Sequence, residues 1–149
     1  MTPGRGGLDP TALFVIAGDE NSHPIDGDSL PGAIQQLLEN PRINARNAPT
    51  SAGGPVASAL EGLANKVDRG DPAFDTADFL DTNPGNLRAD YVLPRRNIRI
   101  ADSAVFWPVR SDPLFRLTGV FDPQWSDVGG FPTSDHRLVW ADLDLPEDD

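Results

Sequence analysis

The chain has 149 residues, no cysteine and a formal net charge of −11. Without cysteine there is no disulfide, no thiolate metal site and no cysteine nucleophile. The acidic balance repels long nucleic acid unless a basic patch or a bound cation intervenes, so nucleic acid is not favoured as a partner. No run reaches the ~20 apolar residues of a membrane span, and the opening MTPGRGGLDP lacks the apolar core of a signal peptide.

Taken in order, residues 1–12 are rich in Gly and Pro and are expected to be flexible. Residues 13–145 form one expected domain, and 146–149 an acidic tail that frays. Leu13 to Ala17 is an apolar run ending at Gly18-Asp19, which predicts a strand buried on both faces. A helix is expected from Leu30 to Glu39, because Leu30, Ala33, Ile34, Leu37 and Leu38 recur on one face. Asp28 or Ser29 can cap that helix, and Asn40-Pro41 stops it.

A weaker helix is expected from Val56 to Ala64, interrupted by Gly62. Residues 65–88 read as a long irregular stretch, and loops of that length are often functional. Strand signals return at Ala89–Leu93 and Ile98–Trp107. Residues 108–134, with Gly129-Gly130 and several prolines, are irregular again, and a last strand is expected at Leu138–Leu145.

Four stretches carry residues suited to chemistry. Gly18-Asp19-Glu20-Asn21 follows the first strand directly, where the C-terminal end of a strand opens onto a cleft in α/β proteins. There a carboxylate can hold a cation or orient water and an amide can donate to a phosphoryl oxygen, although Asp and Asn also favour plain turns. Ser134-Asp135-His136 precedes the last strand and sets a carboxylate beside an imidazole able to move protons; a surface-loop histidine is the plainer reading. Asp90 heads an apolar strand, where a buried carboxylate would need a partner; an exposed carboxylate at the strand edge is the plainer reading. His136 would suit it, since a carboxylate orients an imidazole and steadies its cation. Asp26-Gly27-Asp28-Ser29 lacks the spacing of an EF-hand loop and reads better as a helix cap, with His23 nearby as a loop residue.

In order, the runs VIAGDENSHPIDGDSLPGAIQQLL, GDPAFDTADF, NLRADYVLPRRNIRIADSAVFWPV and FPTSDHRLVWADLDL resemble bacterial proteins of the endonuclease/exonuclease/phosphatase superfamily, the group similar to deoxyribonuclease I. The resemblance covers about Leu13 to Leu145, and its specificity lies in the ordered set GDxN, ADYV and SDH. It extends to exported bacterial phosphoesterases, some of them phytase-like.

The resemblance implies an α/β (α+β) fold, a mainly antiparallel or mixed sheet with flanking helices. That would be about half of a four-layer α/β/β/α sandwich. It also implies metal-dependent hydrolysis of phosphoester bonds. Asp19 matches the residue that orients or deprotonates water, Asn21 the one that holds the scissile phosphate, Asp90 the carboxylate that orients the histidine, and His136 that histidine. Asp135, with Asp19, matches the metal-associated carboxylates, and the implied ion is Mg²⁺, or Mn²⁺ or Ca²⁺. The family's early Asn, its metal-binding Glu and a second catalytic His belong to a first half without counterpart here. A truncated form is therefore expected, completed by a complementing N-terminal half or by self-association through an exposed sheet face. The competing expectation is a non-catalytic remnant or interaction module that keeps the motifs by descent.

Overall fold

In the computed structural model, residues 7–124 and 130–146 are described. The expected looseness of residues 1–6, the fraying of 147–149 and Gly129 of the Gly-Gly pair lie outside the described residues. Among the described residues the fold is mixed α/β, with short helices and three antiparallel two-stranded sheets. No helix among them is long and apolar enough to cross a membrane.

The first sheet pairs β1 (Val15–Asp19) with β4 (Asp90–Pro94), in a register that sets Ile16 against Leu93 and Asp19 against Asp90. The expected strand therefore exists but lies two residues later, and it is not buried on both faces. Val15 is 42% exposed, because β4 is the one strand paired with β1 and its far edge is open among the described residues. Side chains of β4 form the core instead: Tyr91 and Leu93 pack with Ile34 and Ile43, and Phe14, Ile16, Leu37, Leu38 and Ala45 close around them. The Tyr91 hydroxyl donates to the carbonyl of Ser22 at 2.7 Å and so ties the loop after β1 to β4.

The helix expected at Leu30–Glu39 shrinks to one turn, α1 (Gln35–Leu38). Gly32 adopts φ +83°, which interrupts the pattern, and Leu30 is left 81% exposed. Neither Asp28 nor Ser29 caps the turn, whose N-cap is Ile34; the Ser29 hydroxyl instead meets that of Ser22 at 3.0 Å. The second helix, α2 (Gly53–Glu61), begins three residues before the expected start and ends where Gly62 turns to φ +71°. Its first turn is pressed onto the chain: a Cβ on Gly53 or Gly54 would stand 2.2 Å from the carbonyl oxygen of Trp107 or Pro72.

The stretch 65–88 is not featureless. It holds a 3₁₀ turn at Pro72–Phe74 and the short pair β2 (Ala77–Asp78) and β3 (Asn86–Leu87), with Asp78 opposite Asn86. The third sheet pairs β5 (Arg99–Val105) with β6 (Val139–Asp144), with a bulge between Ile100 and Asp102. A single turn, α3 (Phe115–Thr118), interrupts the irregular segment between them.

Candidate active site

The register of β1 and β4 brings two carboxylates together, since Asp19 and Asp90 are cross-strand neighbours at the end of the sheet. In such a pair like charges repel, so a cation or a proton donor is called for. His136 supplies one: its Nδ1 stands 2.9 Å from Asp90 Oδ2. Asp19, Asp90 and His136 each offer a ligand atom, and those atoms all lie within 4.8 Å of one another.

His136 reaches this place through the backbone. Ala77 and His136 form an isolated antiparallel bridge. Around it, the Asp78 N–H donates to the carbonyl of Asp135 at 2.9 Å and the Arg137 N–H to that of Thr76 at 2.7 Å. The Ser134 hydroxyl accepts from the His136 N–H at 3.0 Å, and the edge of Phe79 meets the imidazole at a centroid distance of 5.4 Å. Next along the chain, the Arg137 guanidinium is buried between the rings of Trp107 and Phe131 and donates to Asp78 Oδ2 at 2.7 Å. That anchor fixes the segment from which His136 projects.

Thr76 is the residue that sequence reading missed. Its hydroxyl donates to Asp90 Oδ2 at 2.8 Å, the same oxygen that faces His136, and accepts from the N–H groups of Ala89 and Asp90 at 2.9 Å each. One buried hydroxyl thus fixes the backbone and the carboxylate of Asp90 together. A threonine inside a GDPAFDTADF stretch carries no periodic or motif signal, because its role depends on two segments meeting in space. Thr76→Val keeps the shape and removes the hydroxyl. It is expected to leave the two N–H groups unpaired, costing about 1–3 kcal/mol in a denaturant titration. In an assay of phosphoester hydrolysis it should lower kcat more than it raises KM. An unchanged kcat would deny Thr76 a positioning role.

Asn21 and Asp135 stand elsewhere in the arrangement. The Asn21 N–H donates to Asp19 Oδ1 at 2.7 Å and its backbone takes φ +45°, a tight turn that swings the chain out of β1. Both Asn21 and Asp135 line an adjoining cleft of about 740 Å³ whose walls also include Phe79 and Arg110. The Asp135 carboxylate is not one of the three groups gathered around Asp90.

His23 is not a surface-loop residue. It is buried, and its Nδ1 accepts from the N–H groups of Ile25 and Asp26 at 3.1 and 2.8 Å. Burial holds its pKa below the ordinary histidine value, against the pull of Asp26. Asp26 is likewise no helix cap: its carboxylate accepts from the N–H groups of Arg69 and Gly70 and pins a distant loop.

A carboxylate-oriented imidazole beside a second carboxylate is an arrangement able to move protons in acid–base chemistry. The sequence matches the model of the Endonuclease/Exonuclease/phosphatase family over residues 3–136, and the chain belongs to that family. It is a family of the phosphoester-hydrolase type, generally dependent on a divalent metal. No curated protein and no solved structure matches the chain.

Proposed function

We propose that this chain hydrolyses phosphoester bonds with a divalent metal, Mg²⁺ by preference and Mn²⁺ or Ca²⁺ as substitutes. The observation that carries the reading is the 2.9 Å contact of His136 with Asp90, one strand from Asp19. The carboxylate oxygens of Asp19 and Asp90 are hard donors that suit such ions, so these residues fit the implied metal, while the imidazole stays with Asp90. Asp19 would hold the metal, with Asp135 joining from the cleft wall. When bound, the metal supplies neutralisation of the charge that builds on the phosphoryl oxygens.

The protein groups do the rest. Asp90 fixes the ring of His136 and steadies its cation, so that the free Nε2 can move a proton to or from the phosphoryl group. Asp19 orients the attacking water, and the Asn21 amide donates to a phosphoryl oxygen. These groups do not by themselves complete a ligand set, and water, substrate and any complementing segment or second copy of the chain would supply the rest.

The test is hydrolysis of an aryl phosphodiester and an aryl phosphomonoester by the full chain with Mg²⁺ and after chelation, alone and with a supplied first half of a family domain. Metal-dependent turnover in either arm, lost in Asp19→Ala, is the expected result. No turnover in any combination, or turnover indifferent to Asp19→Ala, would overturn the proposal.

A further inference from the structure

A second group of carboxylates lies outside the catalytic cluster. Glu61 at the end of α2, Asp78 in β2 and Asp81 in the turn between β2 and β3 offer ligand atoms within 4.8 Å of one another. All three line the cleft that Asn21 and Asp135 also face. Acidic residues alone would say little, since such groups are common without an ion. Asn86 adds an independent observation.

Asn86 is only 2% exposed and sits directly opposite Asp78 in the β2–β3 ladder. Directly opposed residues in an antiparallel pair project on the same face of the sheet. Its amide nitrogen lies 2.8 Å from Glu61 Oε2, so the head of the side chain stands against Glu61 on the face it shares with Asp78. Its carbonyl oxygen, Oδ1, is buried and has no hydrogen-bond partner. A buried acceptor without a donor is destabilising and calls for an explanation.

We infer that Glu61, Asp78, Asp81 and the Asn86 carbonyl oxygen form a second binding site for a hard divalent cation, of the Ca²⁺ type. Carboxylates joined by an amide carbonyl are the donor set that Ca²⁺ takes, and its flexible coordination tolerates ligands drawn from a helix end, a strand and a turn. The charges balance. Arg137 holds Asp78 Oδ2 and leaves the other oxygen of that carboxylate free, so three carboxylates and one guanidinium carry a net charge that one divalent cation cancels. Burial first, and the neighbouring carboxylates second, hold Glu61 and Asp78 above the ordinary range, a crowding that a cation would relieve. Because the Asp78 N–H is bonded to the Asp135 carbonyl, the ion would brace the segment that presents Asp135 and His136, and it would lower the negative charge of the cleft wall.

The site is separable from the catalytic cluster. Chelator-treated full-length protein is titrated calorimetrically with CaCl₂ and, in a second arm, MgCl₂. The wild type and an Asp19→Asn/Asp90→Asn double variant are compared with Glu61→Gln and Asp81→Asn, each made in the double-variant background so that Ca²⁺ at the catalytic cluster does not mask the loss. Expected are Ca²⁺ binding retained in the double variant and weakened at least tenfold by Glu61→Gln and by Asp81→Asn. Loss of binding in the double variant, or affinity within twofold of the double variant in Glu61→Gln and Asp81→Asn, overturns the inference. Should either of those variants misfold, the wild type decides by NMR. Saturating Ca²⁺ is expected to shift the side-chain amide resonances of Asn86 and the backbone resonance of Asp81, and the absence of both shifts is equally fatal.

Discussion

Replacing His136 by alanine is expected to lower kcat for phosphoester hydrolysis by about 10²–10⁴-fold, the usual worth of a positioned acid–base group. The fold should survive, because the imidazole is partly exposed and its packing is limited to the edge of Phe79. Asp90→Asn should cost activity on the same scale for a different reason. The amide can still meet the ring at Nδ1, but it lacks the charge that steadies an imidazolium and can present an N–H where the ring needs an acceptor. The two losses should not add, since Asp90 acts through His136. Steady-state kinetics of both single variants and the double variant check this. A double variant that loses the product of the single losses would mean that the two residues work independently, and the contact between them would then have no catalytic meaning.

The second large effect concerns stability. Asp75 is buried beside the 3₁₀ turn, and its carboxyl is pushed up to about 8, first by burial and then by the charges of Asp68, Asp26 and Asp71. In the unfolded chain the same group titrates near the ordinary aspartate value of 3.8. Between those values the folded state binds more protons than the unfolded one, so stability falls as pH rises through that window. The slope approaches about 1.4 kcal/mol per pH unit for each such group. Asp78, pushed up to about 7 by burial and by Glu61 despite its bond to Arg137, steepens the lower part of the same window. His23 works in the opposite sense, because its lowered pKa removes stability as pH falls below the ordinary histidine range. Tm is therefore expected to decline from about pH 6 to pH 8. Asp75→Asn should raise Tm at pH 8 and flatten that decline, with little change at pH 5. A Tm that climbs toward pH 8, or a slope that Asp75→Asn leaves intact, would contradict this account.

How much of this was legible in the sequence depends on the range of the interaction. β4 and β6 were readable to within a residue or so, because strand signals in ADYVL and LVWADLDL are local. The helix at Leu30–Glu39 is shorter than its pattern predicts: five apolar residues stand at helical spacing, yet the backbone at Gly32 takes a positive φ and only the last turn closes. β1 is less buried than its apolar run predicts, for a related reason. An apolar run shows that a strand can be buried, whereas a second neighbour decides whether it is.

Within the candidate site, order along the chain suggested that Asp90 and His136 belong together, and they stand in hydrogen-bond contact. Nothing in the order could show that Thr76 joins them. Its three bonds exist only once the segment before β2 meets the start of β4. His23 escaped for the mirror reason: a histidine in a polar stretch reads as exposed, and its burial follows from a loop more than forty residues away that folds over it.

The dyad joins elements that belong to different sheets. Asp90 lies in the β1–β4 pair, while His136 is bridged to Ala77 of the β2–β3 pair and leads into β6 of the third. A two-stranded ribbon is marginal by itself, so the reactive geometry exists only while three weak ribbons remain docked. Partial opening of any one of them would part Asp90 from His136 without melting the rest. For the proposed hydrolysis, the upper working temperature would then be set by the loosest of those seams and would fall below the temperature at which the chain as a whole comes apart.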